Sequence, residues 1–222
     1  MTRKALRWLM HRLIDLIADV EIRGVENFPA SGSYIVAVNH IGFIDILMFH
    51  YQFDRFDMFI PVAEKWEKHG WIRWVARALN FVFIDRYNPD LKAMRKMIHL
   101  MNEGNSLVIA PEGTRSHTAS MNQGKPGVAF LAAKSGFPVI PVGMIGTEDR
   151  NILGNIKHFK RSKIRLTIGR SFSIAPLPTE GKEETLKAAT DEVMCHIAAL
   201  LPESYRGVYA NHPRTAELLN LR

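Results

Sequence analysis

An α/β fold, a single domain with a central, largely parallel or mixed sheet flanked by helices, is what this 222-residue sequence predicts. Three observations carry that expectation. Short apolar, β-branched runs recur along the chain, segments with the 3.6-residue spacing of helices lie between most of them, and the length suits one core of ordinary size.

Residues 1–20 read as an amphipathic helix. Leu6, Leu9, Met10, Leu13, Ile17 and Val20 share one face, and Arg3, Lys4, Arg7 and His11 the opposite one. His11, Arg12, Asp15 and Asp19 break the apolar run before it could serve as a secretion signal or a membrane span. The pattern fits a helix lying in a membrane interface, and equally a helix packed on the domain with its basic back in water.

Strands are expected over residues 33–38, 58–62, 81–84, 106–110, 138–144 and 163–168, and helices over 43–52, 66–79, 89–102, 126–135 and 182–200, with a short last pattern at 213–221. In the 66–79 helix Trp71, Trp74, Val75 and Ala78 share one side and Arg73 and Arg77 another, which suits either a lipid interface or core packing. Gly104 and Gly136 stop helices just before strands. Phe53, Phe56, Met58 and Phe59 read as core. The expected division is an interface helix at 1–20, a main domain at 21–205 and a C-terminal tail at 206–222.

Lys and Arg number 29 against 22 Asp and Glu, a net charge of +7 that favours anionic partners. No basic-aromatic stacking motif or recognition helix accompanies the charge, so nucleic acid is not expected. Cys195 is alone, which excludes an internal disulfide and fits a reducing compartment; its helical spacing marks it as a core thiol. Nine histidines show no His-Glu-x-x-His or other ligand spacing, and no metal site is expected.

Three segments carry chemistry. The run Asn39-His40-Ile41-Gly42-Phe43-Ile44-Asp45 follows a strand and opens an apolar helix. Residues five apart point about 140° from one another in a continuous helix, but a turn at Gly42 lets the Asp45 carboxylate fold back onto the His40 imidazole. An imidazole oriented by a carboxylate is suited to taking a proton from an alcohol. There is no Gly-x-Ser-x-Gly elbow, so direct attack by a substrate hydroxyl is the expected route. The second segment is Phe83-Ile84-Asp85-Arg86 and the third Pro111-Glu112-Gly113-Thr114-Arg115-Ser116, with Lys125 ten residues after Arg115. Arg86 and Arg115 offer planar forks to a phosphate and Lys125 a point charge. A His paired with a helix-capping Asp, or a lone arginine in a surface ion pair, is the structural alternative for each. Val139-Ile140-Pro141-Val142 has no titratable group and can shape only a strand or an acyl pocket.

In this order the four segments resemble the motifs of the glycerolipid acyltransferase family that includes 1-acylglycerol-3-phosphate acyltransferases, over residues from about Gly24 to about Gly169. The resemblance implies that His40 is the base, that Asp45 orients it, and that Arg86, Glu112, Gly113, Thr114, Arg115 and Lys125 arrange a phosphate-bearing acceptor. The donor would be acyl-CoA or acyl carrier protein, with no other cofactor, and the product phosphatidic acid. Asn80, Ala110 and Gly124 depart from residues common in the family, all on the acceptor side. The expected setting is a cytoplasmic protein held peripherally on an anionic membrane. Another acceptor, such as glycerol 3-phosphate, another lysolipid or a glycolipid, and a non-catalytic membrane-binding module, are the competing readings.

Overall fold

The computed structural model describes residues 3–29, 31–52, 57–85 and 90–221. Among the described residues there are seven strands: β1 (Ala18–Arg23), β2 (Ile35–Val38), β3 (Met58–Ala63), β4 (Phe81–Ile84), β5 (Ser106–Ile109), β6 (Val139–Ile145) and β7 (Ser162–Ile168). They form one sheet in the order β1-β7-β6-β2-β5-β3-β4. The run from β6 to β4 is parallel throughout, β7 turns antiparallel against β6, and β1 runs parallel to β7.

Every residue of β2 is buried, as expected of a strand covered on both faces. Its side chains alternate between two cores. Val36 and Val38 pack with Ile14 of α1 (Arg3–Ile17), Met48 of α2 (Asp45–Gln52) and Ile152 of α6 (Asp149–Lys157). Ile35 and Ala37 pack with Met97 of α4 (Leu91–Asn102), Leu131 of α5 (Gly127–Ser135) and Ile197 of α7 (Lys182–Ala198). The chain therefore leaves β2 for one face through α2 and leaves β5 for the other through α5. Diverging connections of this kind open a crevice at the carboxyl ends of the two strands.

Two elements differ from the sequence expectation. The first helix ends at Ile17 and does not reach Val20. Ala18 to Arg23 form β1, whose inward and outward residues alternate at the sheet edge. Val20 satisfies a helical spacing from Ile17, yet the alternation of Ala18, Val20 and Ile22 with Asp19, Glu21 and Arg23 is a strand signature. The other is α6, a polar helix whose one fully buried residue is Ile152. α1 buries Met10 and Ile14 but leaves Trp8, Leu9, Leu13 and Leu16 exposed. In α3 (Gly70–Ala78) Ala76 is buried, followed by buried Leu79, while Trp74 stands exposed; the side chains of Trp71 and Ala78 lie outside those described. Met58 and Phe59 are core; Phe53 and Phe56 lie outside the described residues. Cys195 is buried in α7, where burial pushes its thiol up to about 11, and it serves the core.

The segment after Pro202 is woven into the domain. Short 3-10 turns at Glu203–Tyr205 and Gly207–Tyr209 lead to α8 (Pro213–Asn220). The Tyr205 carbonyl accepts from the Met121 amide at 2.9 Å, and the buried Tyr209 hydroxyl accepts from the Gly124 amide at 3.0 Å. Arg214 of α8 grips both oxygens of Glu192 in α7 at 2.7 Å. The residues around Lys125 are thus held from the C-terminal side. Tyr209→Phe strips the acceptor from the half-buried Gly124 amide, at about 1–3 kcal/mol for a donor left without its acceptor. A fall of roughly 3–10 °C in melting temperature, followed by circular dichroism, is expected.

Candidate active site

The site is built at the carboxyl ends of β2 and β5. Asn39, one residue beyond β2, uses its side-chain amide as a further rung of the sheet: Nδ2 donates to the Met144 carbonyl at 2.8 Å and Oδ1 accepts the Met144 amide at 2.7 Å. The chain leaving β2 is therefore pinned to β6 up to the residue before His40.

Residues 40–43 then present four successive backbone N–H groups, and each is taken by a carboxylate. His40 donates to Glu112 Oε1 at 3.0 Å, Ile41 and Gly42 to Asp45 Oδ2 at 2.8 and 3.0 Å, and Phe43 to Asp149 Oδ1 at 2.7 Å. Asp45 is the first residue of α2, so its charge also sits at the positive end of that helix. The same Oδ2 takes the His40 Nδ1 proton at 2.7 Å. With Nδ1–H committed to the carboxylate, Nε2 carries the lone pair, and among the described residues no group bonds it. The imidazole is about one-fifth exposed while Asp45 is buried, which leaves the ring reachable and its orienting group shielded.

Gly42 is required sterically. A Cβ placed on it would lie 1.7 Å from the Thr147 carbonyl oxygen, so only glycine lets the turn pass against the loop after β6.

The Pro111–Ser116 loop follows β5, the strand hydrogen-bonded beside β2. Glu112 is buried, and its second oxygen accepts the Asn122 amide at 2.8 Å. Burial pushes the Glu112 carboxyl above its ordinary range, partly offset by the two amides that favour its charged form. The Ser116 amide donates to the His40 carbonyl at 2.7 Å, so the loop holds His40 from both sides of its backbone. Gly113 adopts a left-handed φ of 70°, and the Lys125 side chain lies across it where a Cβ would come within 2.9 Å. Lys125 is brought over the loop by its amide bond to the Pro111 carbonyl at 2.8 Å. Gly124 lies against Met194 and Thr190 of α7, which occupy the space a side chain would need. Thr114 is exposed, and Arg115 pairs with Asp149 Oδ2 at 2.5 Å.

The structure thus brings together His40, Asp45, Glu112, Gly113 and Lys125, with Arg115 joined to the same turn through Asp149. Arg86 lies outside the described residues; β4, which leads to it, is at the sheet edge, two strands from β5. Val139 to Val142 form the buried start of β6 beside β2. Sequence reasoning passed over Asn39 as an anchor and Asp149 altogether. Asp149 did leave a signal, an acidic residue in a helical first turn, but α6 is polar enough that the helix itself went unnoticed. Among the described residues no group of three or more His, Cys, Asp or Glu side chains could hold a metal ion, and no helix is long and apolar enough to cross a membrane.

A paired His and Asp at the carboxyl ends of two parallel strands, with a basic loop beside them, is the geometry on which the comparisons with known proteins bear. The family model described as Acyltransferase matches residues 19–145, from β1 through β6. The chain belongs to the Acyltransferase family. This acyltransferase is 24% identical over 188 residues to a 1-acyl-sn-glycerol-3-phosphate acyltransferase of Bacillus subtilis, covering 85% of this chain and 91% of that protein. It is 29% identical over 190 residues to the sheep (Ovis aries) 1-acyl-sn-glycerol-3-phosphate acyltransferase alpha, covering 78% of this chain and 60% of the relative. The crystal structure of the 1-acyl-sn-glycerophosphate (LPA) acyltransferase PlsC from Thermotoga maritima superposes with a TM-score of 0.63 at 27% identity, covering 86% of this chain and 80% of that one. The acyltransferase match ends at Ile145, short of Asp149 and α6.

Gly42→Ala is expected to force the turn away from Thr147 and His40 with it. Overpacking against backbone costs about 1–3 kcal/mol or more. A lowered melting temperature together with loss of turnover is the outcome to look for; a variant that melts and turns over like wild type would refute the steric argument.

Proposed function

We propose that this acyltransferase moves a fatty acyl group from acyl-CoA or acyl carrier protein to the free hydroxyl of 1-acylglycerol 3-phosphate, giving phosphatidic acid. The observation that carries the reading is the His40 imidazole, held through Nδ1 by buried Asp45, with Nε2 unbonded among the described residues and the ring partly exposed. The activity named for the Bacillus and sheep relatives supports the choice of acceptor.

Nε2 takes the hydroxyl proton as the acceptor oxygen attacks the thioester carbonyl, and Asp45 steadies the imidazolium that forms. The tetrahedral oxyanion collapses, the carbon–sulfur bond breaks, and the proton passes from Nε2 to the departing thiolate. Products are the ester and the free thiol, so atoms and charge balance with no redox partner or metal in the scheme. The N–H groups of residues 40–43 all serve internal carboxylates, so stabilisation of the oxyanion falls to other donors.

Arg115 and Lys125 face the acceptor phosphate, with Arg86 as a further cation and Thr114 as a hydroxyl donor. Glu112 and Gly113 act differently from a direct clamp: Glu112 spends both oxygens on backbone amides, and Gly113 gives passage to the Lys125 side chain. A peripheral seat on an anionic cytoplasmic membrane surface fits the outer side of the layer containing α1 and α6. Trp8, Leu9, Leu13 and Leu16 are exposed there, with Leu153, Ile156 and Phe159 from α6 and the residues after it, near Arg12, Lys157 and Lys160.

Thiol release from acyl-CoA and from acyl-acyl carrier protein, measured with a panel of lysolipids, tests the reading. Release is expected to depend on 1-acylglycerol 3-phosphate and to fall by about 10²- to 10⁴-fold in His40→Ala, which should retain a cooperative melt. Arg115→Ala is expected to raise the acceptor KM. Turnover that persists in His40→Ala would remove the base from the mechanism.

A further inference from the structure

We infer that Asp149 is a positioning residue for acceptor recognition, setting the Arg115 guanidinium and the catalytic turn at one fixed distance from each other. The inference rests on the reading that Arg115 meets the acceptor phosphate.

Asp149 is the first residue of α6. One oxygen accepts the Phe43 amide at 2.7 Å and the other takes Arg115 Nη1 at 2.5 Å. Phe43 lies between His40 and Asp45, so a single carboxylate links the base-bearing turn to the arginine of the loop after β5. Among the described residues no direct hydrogen bond is recorded between Arg115 and residues 40–45, and Asp149 is the bridge between them. The bridge is itself held. Glu148, the residue before it, takes a hydrogen bond from the Tyr205 hydroxyl, and Thr147 before that packs its carbonyl against Gly42.

A guanidinium carries five N–H donors in a rigid fork, so pairing Nη1 with a carboxylate leaves the others for phosphate oxygens while fixing the plane in which they point. The pair is also neutral. Arg115 so held contributes direction more than net attraction. Both side chains of the pair are 38% exposed, so the link is a matter of geometry more than of deep burial.

This arrangement predicts a particular division of effects. In Asp149→Asn the amide oxygen can still accept the Phe43 N–H, while the amide nitrogen confronts Arg115 and releases it. In Asp149→Ala both bonds go.

The test is steady-state kinetics of the full chain with acyl-CoA and 1-acylglycerol 3-phosphate in mixed micelles, for wild type, Asp149→Asn, Asp149→Ala, Asp149→Glu, Arg115→Ala and the Asp149→Asn/Arg115→Ala double variant. Asp149→Asn should raise the acceptor KM about tenfold, the size of a lost charged hydrogen bond, with kcat and the donor KM little changed. Asp149→Ala should lower kcat as well, and Asp149→Glu should recover part of the acceptor KM. The double variant should be no worse than Arg115→Ala alone, because the two residues act as one unit. An acceptor KM that is unchanged or lowered in Asp149→Asn, or an effect additive with Arg115→Ala, overturns the positioning role while leaving the function intact. If Arg115→Ala itself leaves the acceptor KM untouched, the phosphate reading of Arg115 fails, and this inference with it.

Discussion

Four backbone N–H groups in a row, from His40 to Phe43, govern this site: those of Ile41 and Gly42 are buried and must find acceptors, and those of His40 and Phe43 at either side find them too. Three carboxylates meet that demand, and they come from three places: Asp45 from the helix that the turn opens, Glu112 from the loop after β5, and Asp149 from the start of α6. Satisfying the backbone and assembling the site are therefore the same event. The carboxylate that steadies the imidazole also closes the turn, and the one that grips the last amide also grips Arg115.

The sheet makes this convergence possible. β2 lies between β5 and β6, so the loops that follow those strands flank the turn after β2. Asn39 extends the pairing of β2 with β6 by one side-chain rung, and Gly42 lets the turn lie against Thr147. Behind the loop after β5, the C-terminal segment holds Met121 and Gly124 through Tyr205 and Tyr209. Residues more than eighty positions apart in sequence thereby set where Lys125 stands.

The outer surface is organised by a different constraint. α1 buries a narrow stripe of Met10 and Ile14 against the core, and a second apolar stripe, Leu9, Leu13 and Leu16, is left exposed among the described residues. The amphipathic N-terminal helix packs on the domain through Ile14 and turns Leu9, Leu13 and Leu16 outward. α6, the helix that delivers Asp149 at its start, carries Leu153 and Ile156 on the same layer.

Sequence alone determined the α/β class, the position of six of the seven strands and the pairing of His40 with Asp45. Those features are local: period-2 and period-3.6 patterns, glycine stops, and two side chains five residues apart across a glycine turn. β1 was legible too, in the alternation of Ala18 to Arg23, but a helical spacing that overlapped it at Val20 took precedence. What only the tertiary structure decided are the contacts across long stretches of chain. Glu112 reaches His40 from 72 residues away, Asp149 reaches Phe43 from 106, and Tyr209 reaches Gly124 from 85. Such contacts leave no periodic mark, because a carboxylate at a loop or helix start reads the same whether it faces water or a buried amide. The order of strands in the sheet settles which it faces.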